Sequence, residues 1–234
     1  MTRQYPLPLP YREAMEADDF MVTSSNREAV AWIDKWPDWS AHCLIIHGPA
    51  GAGKTHLANV WRTRSRGKFI APDALGASDI GALIMSNRAV AIDDAESVAG
   101  NEAREKGLFH LFNIMRETKG HLLLTAKHAP AQWRLALPDL RSRLLAAPAA
   151  ILAAPDDDLI SALMLKQFND RQLEVGAEVI DFLLPRLTRT PAAIRDLVAS
   201  LDRASLAESR RITVALARKV LDGAEKTMDK TKAE

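Results

Sequence analysis

The sequence predicts an α/β protein with a parallel sheet covered by helices on both faces, followed by a small all-helical domain. Short apolar runs typical of buried strands alternate with helical patterns up to about residue 154, and strands that alternate with helices form parallel sheets. From Asp156 onward the apolar spacing is helical throughout. A glycine-rich loop between an apolar run and a helix is the third observation, because open α/β sheets often carry such a loop.

The glycine-rich loop, Gly48 to Thr55, reads G-x-x-x-x-G-K-T, the phosphate-binding motif. The apolar run Cys43–His47 precedes it and a helical pattern follows it, which is the context that the motif requires. Glycines let backbone N–H groups approach phosphate oxygens, the lysine supplies a charge, and the threonine hydroxyl suits Mg²⁺. The alternative, a glycine-rich turn with a surface lysine, would not need both flanks. We expect ADP or ATP to be held by Gly48, Pro49, Ala50, Gly51, Ala52, Gly53, Lys54, Thr55 and His56.

Two acids and a threonine end two later apolar runs. Asp93 and Asp94 close the run at 88–95, and Thr125 ends the run that begins at His121. The carboxyl ends of parallel strands meet at one edge of a sheet, so these residues should lie together if their strands are neighbours. We assign Asp93, with Thr55, to the Mg²⁺ site, Asp94 to orienting or activating the attacking water, and Thr125 to sensing the γ-phosphate. The alternatives are an acidic turn and a turn threonine.

Composition and charge are those of an ordinary globular protein. Hydrophobic residues make up 47% and charged residues 26% of the 234 residues, and the net charge is +1, which argues against a generally basic nucleic-acid coat. The single cysteine, Cys43, lies in an apolar run, so we expect a buried thiol and no disulfide within the chain. The N-terminus has no apolar signal core and no run reaches membrane-spanning length. We therefore expect a cytoplasmic protein with no membrane partner.

The order of elements follows from apolar spacing, caps and helix breakers. The first helix should run from about Asn26 to Trp36, because Ser25 or Asn26 can cap it and Pro37 stops it. Strands are expected at 43–47, 68–71, 88–95, 121–125 and 149–153, with helices at 55–61, 73–85, 102–118 and 137–144. The all-helical part should contain four helices, at 156–169, 178–187, 190–206 and 213–221.

Four segments are expected along the chain. Residues 1–17 should be extended, because three prolines within five residues fix φ and remove N–H donors. Gln4, Leu7 and Leu9 project from this peptide, which suits docking into a groove on a partner. A leader that is disordered or folds back on its own domain is the alternative. Residues 18–154 form the α/β domain, where Val22 and Asn26 precede the first strand and could line a base or ribose pocket; 155–222 form the helical domain, and 223–234 a disordered tail.

The order of these signals resembles that of the AAA+ superfamily: a phosphate loop, a strand with two acids, a strand ending in threonine, a Ser-Arg pair and a helical lid with an arginine. Gly-Lys-Thr-His-Leu at 53–57, Ile-Asp-Asp at 92–94, Phe-His-Leu-Phe-Asn at 109–113 and Leu-Arg-Ser-Arg-Leu at 140–144 are similar to the AAA+ region of the replication initiator DnaA. The resemblance covers residues 18–221. The stretch at 4–9 resembles the Q-L-x-L-P-L motif that binds the replicative sliding clamp. With no DNA-binding domain after the lid, the whole resembles the Hda/HdaA family of DnaA-related regulators.

This resemblance implies a negative regulator of replication initiation that docks on the DNA-loaded sliding clamp, the beta subunit of DNA polymerase III. The regulator stimulates hydrolysis of the ATP bound to DnaA rather than turning over ATP rapidly itself. Arg143 would be the arginine finger that enters the DnaA site in trans, and Arg195 would be the lid sensor on this chain's own nucleotide. Gln4, Leu7 and Leu9 would dock on the clamp. The implied partners are DnaA, the clamp, DNA through the clamp and possible further copies of the chain, at the nucleoid or replisome.

The sequence differs from DnaA in two respects, and two alternative functions remain open. Lys127 replaces a residue that is usually acidic in DnaA, and the segment between Phe69 and Val90 is too short for the DnaA insertion that grips DNA, so weak direct DNA binding is expected. A helicase loader of the DnaC or IstB type would bind a replicative helicase. A non-catalytic, nucleotide-gated adaptor would sequester DnaA without hydrolysis. The sequence does not decide between ADP and ATP, or whether the chain hydrolyses ATP.

Overall fold

The computed structural model describes residues 21–76, 79–84 and 87–231, which fall into two compact units at 21–154 and 155–231. The first unit contains all the strands, and the second contains only helices. The peptide at 1–17, with Gln4, Leu7 and Leu9, lies outside the described residues. In the described ranges no helix is long and apolar enough to cross a bilayer.

A five-stranded parallel sheet organises the first unit. Its strands are β1 Cys43–His47, β2 Lys68–Phe69, β3 Ala89–Ile92, β4 His121–Ala126 and β5 Ala149–Ile151, in the spatial order β2-β3-β4-β1-β5. In this register Ile46 lies opposite Thr125, and Ile92 lies opposite Leu124. The carboxyl ends of β1, β3 and β4 therefore meet at one edge of the sheet.

Both faces of the sheet are covered, as strands that are apolar on both sides require. One face packs against α4 Glu102–Glu117, and the other packs against α1 Arg27–Asp34 and α2 Lys54–Ser65. Alternate side chains of β1 enter the two cores, because Ile45 belongs to the α4 side while Leu44 and Ile46 belong to the α1 and α2 side. The predicted sheet with helices on both faces is confirmed.

The helix predicted at 73–85 is wrong. A 3₁₀ helix at Pro72–Gly76 and a short α3 at Ile80–Ile84 occupy the described part of this segment. The 3₁₀ helix packs closely on α4, where Gly107 has no side chain and a Cβ atom would lie 2.1 Å from the carbonyl oxygen of Leu75. Close packing of backbone on helix therefore overrides the helical spacing of the sequence.

Four α-helices form the described part of the second unit, as predicted: α6 Asp157–Asn169, α7 Ala177–Leu183, α8 Pro191–Glu208 and α9 Val214–Thr231, packed around one apolar core. A 3₁₀ helix at Leu184–Arg186 follows α7. Asp156 caps α6 by accepting from the Leu159 N–H at 2.9 Å, and Thr190 caps α8. The predicted end of the last helix near Leu221 is wrong, because α9 continues to Thr231 through part of the expected disordered tail. One glycine costs a helix only about 1 kcal/mol, and the Ala, Glu and Lys residues that follow it are strong helix formers.

Candidate nucleotide-binding site

The phosphate-binding loop connects β1 to α2, and its glycines answer two different steric demands. Gly51 and Gly53 have φ angles of +79° and +97°, which glycine adopts without strain. Gly48 instead faces a close neighbour, because a Cβ atom there would lie 1.9 Å from the carbonyl oxygen of Leu152. A loop of this shape presents successive backbone N–H groups to one side, which is how such loops hold phosphate.

Lys54 opens α2 and its ammonium group lies over the loop. Its Nζ donates to the carbonyl oxygens of Gly48 and Pro49 at 2.7 and 2.8 Å. Burial lowers the pKa of Lys54, while the nearby carboxylates, Asp93 first among them, act in the opposite direction. Phosphate oxygens are stronger acceptors for an ammonium group than neutral carbonyls, so a bound phosphate would draw the side chain from this position.

The carboxylate of Asp93 joins the loop to the neighbouring strand. Thr55 Oγ1 donates to Asp93 Oδ2 at 2.7 Å, and Thr125 Oγ1 donates to Asp93 Oδ1. Thr125 is fully buried, and its hydroxyl oxygen also accepts from the Asp94 N–H at 3.1 Å. Thr125 thus lies beside both acids, as expected for the ends of neighbouring strands. Its hydroxyl links the Asp93 carboxylate to the Asp94 backbone N–H.

The oxygen atoms around Thr55 fit a magnesium ion. The Thr55 hydroxyl and the Asp93 carboxylate lie within hydrogen-bonding distance of each other, directly after the phosphate loop. No group of three or more His, Cys, Asp or Glu side chains that could hold a metal occurs in the described ranges. Mg²⁺ in nucleotide sites commonly takes one or two protein oxygens and completes its shell with phosphates and water, so this sparse set is the expected one.

The backbone of Asp94 is held in the left-handed region, with φ 55° and ψ 43°. Aspartate tolerates this conformation better than most residues, although it carries strain there. Its N–H is held by Thr125, and its carbonyl accepts from the Ser97 hydroxyl at 2.7 Å. The carboxylate of Asp94 is exposed beside the loop, which suits the assigned role of orienting water.

The two residues expected at the base or ribose, Val22 and Asn26, both precede α1, and Asn26 is its N-cap. Asn26 is 2% exposed; its Oδ1 accepts from the Thr23 N–H at 2.9 Å and its Nδ2 donates to the Met21 carbonyl at 2.8 Å. Both ends of this amide therefore shape the turn before α1. Val22 is half-buried against the core of α1 and α2, and His56 is exposed on α2.

The two arginines of the Ser-Arg segment differ in their surroundings. Both lie on α5, Pro138–Ala146, where Arg141 is exposed and Arg143 is half-buried. Arg143 Nη1 donates to Asn113 Oδ1 on α4, and its guanidinium carbon lies 4.7 Å from the centroid of the Phe109 ring. Among the described residues no ion pair includes Arg143. Its charge is thus held by an amide and an aromatic face without being neutralised.

The remaining predicted arginine, Arg195, lies in the second unit. It is exposed near the start of α8, following the Thr190 cap and Pro191. The structure brings together the loop residues, Thr55, Asp93, Asp94 and Thr125. The role of Arg195 as a sensor of the nucleotide stays a prediction.

Three side chains that contact this region were not assigned from the sequence. Glu96 accepts from the His128 N–H at 3.0 Å, Glu105 is buried with three backbone donors, and Asn113 holds Arg143. Only Asn113 carried a usable signal, because it lies four residues after Phe109 and so shares its helix face. The two glutamates resemble ordinary surface acids near helix N-termini.

Known proteins resemble both units of this chain. Residues 156–221 match the family described as "Hda, lid domain". An uncharacterized protein of Haemophilus influenzae is 28% identical over 95% of this chain and 100% of its own length.

Solved structures of replication initiators share the fold. Domain III of DnaA from Thermotoga maritima is 19% identical, with a TM-score of 0.71 over 87% of this chain and 94% of that one. DnaA bound to AMPPCP and single-stranded DNA is 20% identical, with a TM-score of 0.69 over 91% of this chain and 70% of that one. A structure described as a DNA replication initiation factor is 20% identical, with a TM-score of 0.70 over 80% of this chain. The chain spans only 63% of that factor's length. The predicted AAA+ sheet followed by a helical lid is confirmed.

Proposed function

We propose that this chain, which carries an Hda-type lid and a unit with the fold of DnaA, is a negative regulator of replication initiation that promotes hydrolysis of DnaA-bound ATP. The observation that carries the proposal is an Hda-type lid in the same chain as a DnaA-like nucleotide unit. Such a protein would act in the cytoplasm, at the replisome. Its own nucleotide, ADP or ATP, would occupy the loop at 48–55.

The residues around this loop support nucleotide binding with Mg²⁺. Backbone N–H groups of the loop and the ammonium of Lys54 would bind the phosphates, and Thr55 with Asp93 would hold the ion, which supplies charge compensation between the phosphates. Asp94 would orient a water molecule and Thr125 would fix the positions of both acids. One DnaA structure of the same fold contains the ATP analogue AMPPCP.

The surroundings of Arg143 support a role toward a phosphate on another molecule. A guanidinium group remains charged at all physiological pH values and can bind phosphate oxygens in a bidentate manner. Asn113 and the Phe109 ring hold this group at the surface of α4 without supplying a counter-charge. A γ-phosphate would be a far stronger partner than the neutral amide. We propose that Arg143 exchanges Asn113 for the γ-phosphate of ATP bound to DnaA.

The peptide at 1–17 would concentrate the protein at its target. By their resemblance to a clamp-binding motif, Gln4, Leu7 and Leu9 would dock on the sliding clamp loaded on DNA. Docking turns the encounter with DnaA on the same DNA into a tethered event at high effective concentration. Copies of this chain would therefore act where replication has just passed.

Substituting Arg143 tests the finger assignment. The R143A and R143K variants should lose the stimulation of DnaA-bound ATP hydrolysis, because an arginine finger typically contributes roughly 10³–10⁵ in rate and lysine lacks the planar fork. The matched control is R141A, which removes an exposed arginine from the same helix. Phosphate release from DnaA preloaded with labelled ATP is the readout. An R143K protein with near-normal stimulation would contradict the assignment.

The contact between Arg143 and Asn113 also favours a second candidate function. A guanidinium that stays on its own α4 would not reach a partner's nucleotide, and the protein would then act as a nucleotide-gated adaptor that sequesters DnaA. In that case R143A would still inhibit initiation in a reconstituted origin-unwinding assay while leaving DnaA-bound ATP hydrolysis unchanged. The finger function predicts loss of both effects.

A further inference from the structure

Glu105 is an acid in the first turns of α4 that is only 1% exposed. Its Oε1 accepts from the Gly100 N–H at 2.9 Å and from the Ala136 N–H at 3.2 Å, and its Oε2 accepts from the Leu137 N–H at 2.8 Å. No ion pair of the described residues includes it. A buried carboxylate is costly unless it is well hydrogen-bonded, so the three backbone donors account for its presence in the interior.

The three donors belong to two segments, one that follows Asp93 and Asp94 in the chain and one that precedes α5. Asp93 and Asp94 are followed by a 3₁₀ helix at Ala95–Val98 and a turn that ends at Gly100, whereas Ala136 and Leu137 immediately precede α5. These two segments do not pair as strands. The carboxylate of Glu105 therefore joins the turn after the acids to the start of the helix that carries Arg143.

A second carboxylate fixes the other end of the segment between Thr125 and α5. Glu96 accepts from the backbone N–H of His128 at 3.0 Å and lies 3.1 Å from its Nδ1. Trp133 Nε1 in turn donates to the His128 carbonyl at 2.9 Å. Residues 127–137 thus run from the buried threonine to α5 and are held near one end by Glu96 and at the other by Glu105.

We propose that Glu105 is a positioning residue that couples occupancy of the chain's own nucleotide site to the placement of α5 and Arg143. A nucleotide that moves Asp93 and Asp94 moves the turn ending at Gly100, and Glu105 transmits this shift to the two N–H groups before α5. The consequence for Arg143 rests on the proposed function of the finger. The positioning of Leu137 and Ala136 by the Glu105 carboxylate does not depend on that proposed function.

Glutamine is the informative replacement for Glu105, because it keeps the size and changes one acceptor into a donor. If the amide oxygen accepts from the Gly100 and Ala136 N–H groups, the amide NH₂ faces the Leu137 N–H, and neither of these two donors has an acceptor. In the reverse orientation the NH₂ faces the N–H groups of Gly100 and Ala136 instead. At least one backbone N–H thus loses its acceptor. The matched control is E102Q, on the same helix, where an exposed acid pairs with Lys106 at 2.6 Å.

Amide hydrogen exchange on the full-length protein, followed by NMR with and without Mg²⁺–ADP, tests the inference. In the unchanged protein the Ala136 and Leu137 amides should be protected, and ADP should change the exchange of residues 136–146. E105Q should speed exchange at Leu137 or at Ala136 by roughly 10- to 150-fold, the value of a charge-assisted hydrogen bond, and should abolish the ADP response of α5. E102Q should do neither. Amides of the central strands β1 and β4 report whether E105Q destabilises the whole unit.

Two results would overturn the inference, and neither depends on how E105Q folds. Ala136 and Leu137 amides that exchange as rapidly as exposed ones would show that the carboxylate does not hold them. An ADP response confined to the loop at 48–55 and the acids would show that no coupling reaches α5. An assay of hydrolysis of DnaA-bound ATP separates the two proposals. A wild-type protein that shows the ADP response of α5 but does not stimulate this hydrolysis contradicts the proposed function alone. An active E105Q protein contradicts the link between Glu105 and Arg143.

Discussion

Replacing Thr125 with valine should lower the free energy of unfolding of the α/β unit by about 3 kcal/mol. Valine has nearly the same shape, so the change removes a hydroxyl from a fully buried strand position without opening a cavity. A hydrogen bond to a charged group is worth about 1.5–3 kcal/mol, and an orphaned backbone N–H costs about 1–3 kcal/mol. T125V incurs both costs, because it removes the hydrogen bond to the Asp93 carboxylate and the acceptor of the Asp94 N–H. Water can hydrogen-bond to these partly exposed acids and so offsets part of the combined cost. The expected loss of stability therefore lies near the lower end of the summed range.

Urea unfolding followed by circular dichroism measures this loss. A change of about 3 kcal/mol lowers the unfolding midpoint by roughly 1 M urea at an m-value near 3 kcal/mol/M. The T125S protein is the companion variant, because serine keeps the hydroxyl and loses one methyl group, at a cost of about 1 kcal/mol. Serine should also retain Mg²⁺-dependent nucleotide binding, which valine should weaken by releasing Asp93.

The control for this prediction is T118V. Thr118 is exposed at the end of α4, and its hydroxyl donates to the Ile114 carbonyl at 2.8 Å, so the change should stay within about 0.5 kcal/mol. A T125V protein that unfolds within the same margin of wild type, or that is more stable than T125S, would refute the role given to the buried hydroxyl.

Two further predictions concern the loop and the histidines. G48A should abolish nucleotide binding in calorimetry, because its Cβ would lie 1.9 Å from the Leu152 carbonyl oxygen and the loop must move; unchanged affinity would contradict the packing. Burial lowers the pKa of His42, His47 and His121 from 6.5. The unfolded chain therefore binds more protons, and stability that is complete above the unfolded pKa of 6.5 falls as pH drops below it. A melting temperature that does not decrease between about pH 7.5 and pH 5.5 would disprove this.

The parts of the site that depend on chain order could be predicted from the sequence. The glycine loop is recognisable because strand, loop and helix occur within one short stretch. Thr125 could be placed beside Asp93 and Asp94 because parallel strands end at the same edge, which needs only that β3 and β4 be neighbours. Local patterns and one assumption about strand order sufficed for these residues.

The parts that depend on packing between helices could not be predicted. The direction of the Arg143 side chain depends on the position of Asn113 on α4, thirty residues away in the chain. No local sequence pattern shows that these two side chains are in contact. Glu105 resembles a surface acid because acids are common in the first turn of helices, and only the fold shows its backbone donors. The 3₁₀ helix at Pro72–Gly76 arises from the close approach that Gly107 permits.

The rate of hydrolysis of ATP prebound to DnaA tests the central claim most directly, measured with this protein added, in the presence and absence of sliding clamp loaded on DNA. The proposed function predicts stimulation that requires the clamp and disappears both in Q4A, which alters the docking peptide, and in R143A, which removes the finger. An absence of stimulation in every nucleotide state of the protein would contradict the trans-acting finger while leaving the AAA+ fold unchanged.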